Sequence, residues 1–188
     1  MNSKLLTAFI FLIIVVLIGL LYWSSKKDNI KNQKIVQAPE VDAFVSRGWS
    51  KQTNGDYVGA IEEYSQAIER AIQLGTITPT LYSFRADVKQ SLGDYKGAVE
   101  DYTYAIELEP DLVSYMERAD AREFISDYKG ALEDVTKAIS LSEGNASTLA
   151  SLYSYRAKIK RKLGDEAGAK ADKEKESEIM KKNGIGWE

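Results

Sequence analysis

The side chains best suited to chemistry in this chain are arginines and carboxylates, which recur as pairs at a fixed spacing. Each of four arginines lies sixteen residues before an acidic residue. The pattern has two interpretations: an ion pair that stabilises each copy of a repeated unit, or four arginines that together bind an anionic ligand. Four acidic partners for four arginines favour structural ion pairs. The pairs are Arg47 with Glu63, Arg85 with Asp101, Arg118 with Asp134, and Arg156 with Asp172.

The composition excludes several kinds of catalytic site. The 188 residues contain no histidine and no cysteine, which removes disulfides, thiolate nucleophiles, histidine bases and nearly all transition-metal sites. The net charge of −3 provides no basic excess for binding nucleic acid. The chain has no glycine-rich phosphate loop. We therefore expect a protein that is not an enzyme and that has no cofactor, no metal and no small-molecule substrate.

The elements that must position these pairs are repeated helical hairpins. The phrases that begin at Gly55, Gly93, Ser126 and Gly164 align their alanines at Ala60, Ala98, Ala131 and Ala169, with spacings of 38, 33 and 38 residues. Each phrase follows a segment in which an aromatic, a small and a basic residue fall at positions i, i+4 and i+7, on one helical face. Gly-Asp-Tyr forms the turn between the two helices. Such periods indicate stacked supersecondary units.

These residues resemble the tetratricopeptide repeat family over residues 41–181. The resemblance rests on the aromatic that opens each first helix, on Pro110, on a small residue at each crossing (Gly48, Ala86, Ala119, Ala157) and on a tyrosine after three turns (Tyr57, Tyr95, Tyr128). It implies an all-α, right-handed superhelical solenoid of about four hairpins, with repeats at about 41–78, 79–111, 112–149 and 150–181. The two longer spacings predict that Gly75 and Gly144 cap elongated second helices.

In this family the first helices line a concave groove that binds a peptide or protein partner. The alternative is that the same positions are only solvated helix faces. The family's clamp for chaperone tails needs Lys and Asn at positions that here hold Val45, Trp49 and Phe84, so that specificity is not expected. Carried over by position, the candidate groove residues are Trp49, Asp87, Met116, Asp120, Glu123, Phe124, Lys158, Arg161 and Lys162.

The N-terminal segment differs from the rest of the chain. After a short tail at 1–4, residues 5–23 are nineteen uncharged residues, Leu5 to Trp23, which span about 28 Å as a helix and match the hydrocarbon core of a bilayer. The bulky Tyr22 and Trp23 make poor cleavage positions, which favours an uncleaved transmembrane helix over a signal peptide. Lysines in the polar tether at 24–40 outnumber those before the span and favour a cytoplasmic repeat domain.

Together these features predict a membrane-anchored adaptor that binds a polypeptide partner, whose identity the sequence does not give. The alternative is a secreted or periplasmic repeat domain that assists folding or assembly after signal-peptide cleavage. The C-terminal tail at 182–188 carries Trp187, which either packs on the last helix or serves as a docking segment.

Overall fold

The computed structural model describes residues 38–142 and 144–185. The predicted transmembrane helix at 5–23, most of the tether and Trp187 lie outside the described residues. Within the described residues, no helix is both long enough and apolar enough to cross a bilayer.

The described part of the chain is built from eight α-helices that form four antiparallel hairpins. Consecutive helices make the strongest contacts, both within a hairpin and between one hairpin and the next. This arrangement confirms the predicted all-α solenoid of about four hairpins. The helices are α1 (Pro39–Thr53), α2 (Tyr57–Leu74), α3 (Pro79–Ser91), α4 (Tyr95–Leu108), α5 (Leu112–Phe124), α6 (Tyr128–Leu141), α7 (Ala146–Lys162) and α8 (Glu166–Lys182).

The turns within the hairpins share one capping arrangement. Before each second helix an aspartate accepts a hydrogen bond from the backbone N–H of the glycine three residues later, at 2.8–3.0 Å. This bond satisfies one of the free N–H groups at the helix start. The residue before each aspartate has a positive φ; it is glycine in three hairpins and Ser126, with φ of 64°, in the third.

Small residues at the helix crossings allow the backbones to approach closely. Ala86, Ala98, Ala119 and Ala131 are fully buried. At the first crossing, Gly48 lies against the ring of Tyr64, so that a Cβ at Gly48 would lie only 2.7 Å from a ring carbon. The core is therefore a thin layer between helices, repeated along the solenoid.

The two longer spacings are accommodated in different ways. Gly75 is in the left-handed conformation and caps α2, which is elongated to 18 residues, as predicted. The prediction for Gly144 is wrong, because α6 ends at Leu141 with 14 residues, the length of α4. The extra residues instead lengthen α7, which begins at Ala146 and has 17 residues, compared with 13 in α3. Asn145 caps this earlier start by accepting from the N–H of Thr148.

Candidate functional site

The four arginine–carboxylate pairs meet across the hairpins. In the second hairpin, Arg85 donates two hydrogen bonds to Asp101, at 2.9 and 2.6 Å, in a bidentate arrangement. Arg118 with Asp134 and Arg156 with Asp172 have the same geometry. Arg47 makes a single 2.8 Å bond to Glu63. All four carboxylate residues are buried.

Each carboxylate also binds a second cation, which was not predicted from the sequence. This cation lies one helical turn after the arginine, at 2.8–3.1 Å from the same carboxylate. The sequence did contain a signal for this second cation, because the basic residue seven positions after each aromatic lies on the same helical face as the arginine. The second cations are Lys51, Lys89, Arg122 and Lys160.

In each cluster two cations hold one buried carboxylate in its ionised form. Burial raises the pKa of Glu63, but the hydrogen bonds from Lys51 and Arg47 outweigh burial and hold the pKa below its usual value. Asp172 follows the same pattern, with burial opposed by Arg156 and Lys160, and its pKa is also lowered. The hydrogen bond to Asp101 raises the pKa of Arg85, so this side chain stays charged. These arginines are therefore structural rather than free to bind an anion.

Two of the arginines also connect consecutive hairpins. Arg85 donates to Ser65 Oγ on α2, and Arg118 donates to Thr103 Oγ1 on α4, both at 3.0 Å. Each guanidinium also lies over the aromatic ring three residues earlier, 5.8 Å from the centre of Tyr82 for Arg85. One arginine thus ties its own hairpin to the hairpin before it.

A different group of residues forms cavities on the surface of the first helices. Two adjoining cavities share Phe124, at the end of α5, and we call them together the Phe124 groove. The inner cavity, of about 430 Å³, is lined by Asp87, Gln90, Ser91, Tyr95, Tyr102, Glu117 and Phe124. The outer cavity, of about 510 Å³, is lined by Asp120, Glu123, Phe124, Ser126, Tyr128 and Lys158. The groove thus brings together five of the nine predicted residues: Asp87, Asp120, Glu123, Phe124 and Lys158.

Phe124 forms an exposed aromatic wall between the two cavities. Its ring stacks on Tyr95, with centres 4.3 Å apart and planes inclined by 4°. Despite this contact, Phe124 remains 63% exposed. A large apolar side chain held by stacking at the edge of a cavity is a suitable anchor for a partner.

The inner cavity is acidic. The hydroxyl of Tyr102 donates to Asp87 Oδ1 at 2.6 Å. Burial raises the pKa of Glu117, and the negative charges of Asp87 and Asp120 raise it further. Desolvation also raises the pKa of Asp87, although the Tyr102 hydroxyl acts in the opposite direction. Tyr102 and Glu117 were not predicted as groove residues, since the sequence offers no signal that separates them from a core tyrosine and a solvated glutamate.

The outer cavity contains an ion pair between hairpins. Lys158 Nζ on α7 lies 2.8 Å from Glu123 Oε1 on α5 and 5.6 Å from the ring centre of Tyr155. Lys158 and Glu123 were predicted to offer charges of both signs to a partner. Instead they neutralise each other, which leaves Asp120 as the carboxylate of this cavity outside the pair.

The other four predicted groove residues lie outside the Phe124 groove. Trp49, on α1, is 64% exposed. Met116 packs against the core cluster around α5, α6 and α7. Arg161 and Lys162 lie exposed in the last turn of α7. Of the three predicted basic residues of the fourth hairpin, Lys158 contacts Glu123, whereas Arg161 and Lys162 line neither cavity of the groove.

The comparisons with known proteins agree with this architecture. Residues 79–112, which cover α3 and α4, match the family model described as tetratricopeptide repeat. No curated protein matches the chain.

Several solved structures share the fold. The TPR domain of Sgt2 from Aspergillus fumigatus is 27% identical, over 70% of this chain and 84% of that one, with a TM-score of 0.57. The first TPR of Spaghetti (RPAP3), bound to the HSP90 peptide SRMEEVD, is 22% identical over 69% and 97%, also with a TM-score of 0.57. MamA from Desulfovibrio magneticus RS-1 is 14% identical over 78% of each chain, with a TM-score of 0.64.

The chain therefore contains one segment that matches a tetratricopeptide repeat, and its described helices share the fold of solved TPR domains. Proteins of this type are generally scaffolds without catalytic activity. A repeat domain of this type fits an adaptor that binds peptides.

Proposed function

We propose that this protein is a membrane-anchored adaptor that binds a polypeptide partner in the Phe124 groove. The observation that carries the proposal is Phe124 itself, a 63% exposed aromatic ring that separates two cavities on the first helices. Other apolar side chains of the described residues are similarly exposed, but Phe124 lines two cavities at once.

The groove suits a segment of extended polypeptide. Its cavities draw their walls from α3, α4, α5, α6 and α7, so one bound segment would cross at least two hairpins. Apolar contact comes from Phe124 and Tyr95, and polar contact comes from carboxylates and from Gln90. This combination of an aromatic centre with polar surroundings is typical of peptide-binding surfaces.

The acidic peptide seen with the Spaghetti structure is a poor model for the partner of this chain. That peptide carries two glutamates and an aspartate against a single arginine, so its side chains are net acidic. The inner cavity here presents Asp87 and Glu117, which would repel such a ligand. The partner is therefore expected to differ from the one named in that structure.

The anchor belongs to the proposal because residues 5–23 form an uncharged stretch of bilayer length. The seventeen residues of the tether reach at most roughly 56 Å when fully extended, which keeps the repeats near the membrane. The excess of lysines on the tether side favours a cytoplasmic repeat domain.

The groove is tested by panning a random-peptide display library over the full chain in mild detergent. Phe124→Ala should abolish enrichment of the selected peptides. Tyr104→Ala is the matched control, since Tyr104 is 51% exposed and stacks on Tyr82, but lies on the second helix α4. Equal loss with both variants, or no selected peptides at all, would refute the groove assignment.

The anchor is tested separately by alkaline carbonate extraction of membranes and mass spectrometry of the mature N-terminus. The proposal expects an intact N-terminus and retention in the membrane pellet. A soluble chain with a new N-terminus near Ser24 would support the secreted or periplasmic alternative instead.

A further inference from the structure

The inner cavity of the Phe124 groove, where Asp87 is exposed and Glu117 half-buried, differs from the other acidic sites described above. The carboxylates inside the hairpins each contact two cations, and Glu123 contacts Lys158. The inner cavity combines Asp87 and Glu117 with no basic side chain in its lining. Among the described residues, neither carboxylate makes an ion pair.

We propose that the inner cavity receives an arginine side chain of the polypeptide partner, placed between the ring of Phe124 and the carboxylates of Asp87 and Glu117. This inference rests on the proposed function and names the chemistry that the groove recognises. A positive charge here would relieve the repulsion between two carboxylates that face the same cavity.

The aromatic wall favours a planar cation. Tyr95 covers one face of Phe124, yet most of the Phe124 side chain remains exposed to the groove. A guanidinium stacks on an aromatic face and keeps its N–H groups free at its edge, whereas an ammonium is more strongly hydrated. An arginine can therefore use the ring and the carboxylates at the same time.

An unpaired acceptor in the same lining supports this choice. The Oε1 atom of Gln90 is buried and has no hydrogen-bond donor among the described residues. A buried carbonyl oxygen without a donor is destabilising, and a ligand that supplies an N–H group removes that penalty. The guanidinium has five N–H donors, enough for both carboxylates and for Gln90.

The pKa directions agree with this geometry. Burial and the charges of Asp87 and Asp120 raise the pKa of Glu117, in agreement with a cavity lining that contains no basic side chain. A bound guanidinium would lower these pKa values, so peptide binding should release protons and strengthen as pH rises above about 4.5, the ordinary value for glutamate. No basic side chain faces Glu117 within the cavity lining from α3, α4 or α5.

The experiment uses four fluorescein-labelled nonapeptide pools that differ only in the fixed central residue: arginine, lysine, citrulline or glutamate. Binding to the full chain in mild detergent is followed by fluorescence anisotropy. The arginine pool should bind most tightly, then lysine, then the isosteric but uncharged citrulline, with glutamate weakest. Glu117→Gln should weaken binding of the arginine pool on the order of tenfold, as expected for a hydrogen bond between charged groups.

The matched control is Glu100→Gln, an exposed carboxylate on α4 outside the groove lining, which should leave binding unchanged. Asp87→Asn is a second variant that keeps an acceptor for Tyr102, so a general loss of folding is not expected. Pools that bind equally well, but lose binding with Phe124→Ala, would overturn the arginine inference while the groove stands. No binding to any pool, together with failed panning, would overturn both.

Discussion

The neutralisation of Asp101 is the perturbation that most sharply tests how the hairpins are stabilised. Asp101 is 1% exposed and contacts Arg85 at 2.6 Å and Lys89 at 2.8 Å. Asp101→Asn keeps the shape but leaves both cations, each less than a fifth exposed, without a counter-charge. Removing one partner of a buried ion pair typically costs about 3–5 kcal/mol.

The equivalent change in the first hairpin should be much milder. The side chain of Arg47 is 50% exposed, and Lys51 is also partly exposed, so water can solvate both after Glu63→Gln. Loss of an exposed pair costs about 0.2–1 kcal/mol. The contrast between Asp101→Asn and Glu63→Gln thus comes from the exposure of the cations rather than from the type of bond.

Thermal unfolding followed by far-UV circular dichroism measures the contrast. A loss of several kcal/mol at Asp101 corresponds to a fall in melting temperature on the order of 10 °C for a chain of this size, and the loss at Glu63 to a few degrees at most. Asp172→Asn controls for position, since its partners Arg156 and Lys160 are as buried as those of Asp101 although the hairpin is terminal. Equal losses at Asp101 and Glu63 would refute the argument, and a small loss at Asp172 would show that position outweighs exposure.

Three further predictions concern local features. Ser126→Gly should stabilise the protein by about 0.5–1 kcal/mol, because Ser126 has φ of 64° where the other three hairpins have glycine. The control is Ser142→Gly, where φ is −77° and no gain in stability is expected. A lower melting temperature for Ser126→Gly would contradict the prediction. Gly48→Ala should destabilise the fold by about 1 kcal/mol, since overpacking against Tyr64 exceeds the gain in helix propensity; an unchanged unfolding curve would show that the ring moves aside. The pKa of Glu63 is lowered in the folded state, so its ionised form stabilises the fold above pH 4.5, and this stabilisation is lost as pH falls through the lowered value. The pKa of Glu117 is raised in the folded state, so its ionised form destabilises the fold, and this penalty disappears as pH falls. Melting curves between pH 7 and pH 3 should therefore show a weaker acid dependence of the melting temperature for Glu63→Gln than for the wild type. Glu117→Gln should raise the melting temperature at pH 7, and this gain should disappear on acidification. Parallel pH dependence for the wild type and both variants would contradict the predicted directions.

The arginine–carboxylate partners are accessible from the sequence for a simple geometric reason. Arg85 and Asp101 lie at nearly equal distances from the Gly-Asp-Tyr turn, and two antiparallel helices place such positions opposite each other. The second cation is harder to assign, because Lys89 shares a helical face with Arg85 and the sequence does not show whether a long side chain turns toward the partner helix. The same limit applies to Lys158, which contacts Glu123 on a neighbouring hairpin 35 residues away.

The groove depends on contacts that a repeat pattern does not encode. Phe124 gains its position from stacking on Tyr95, and Glu117 enters the inner cavity although it directly precedes the structural Arg118. Position within the repeat identified Asp87, Asp120 and Phe124 as residues of the first-helix surface. It could not separate them from Trp49 or Arg161, because the spacing defines a helical face but not which parts of that face are recessed.

The central claim is that a polypeptide binds across the Phe124 groove, and site-specific photocrosslinking tests it most directly. A photoreactive phenylalanine analogue at position 124 would be compared with the same analogue at position 104 in the full chain expressed in cells, with the crosslinked peptides sequenced by mass spectrometry. We expect defined polypeptide crosslinks at position 124, centred on a segment that contains an arginine, and few at position 104. Crosslinks to the same polypeptides at both positions, or at position 104 alone, would contradict it.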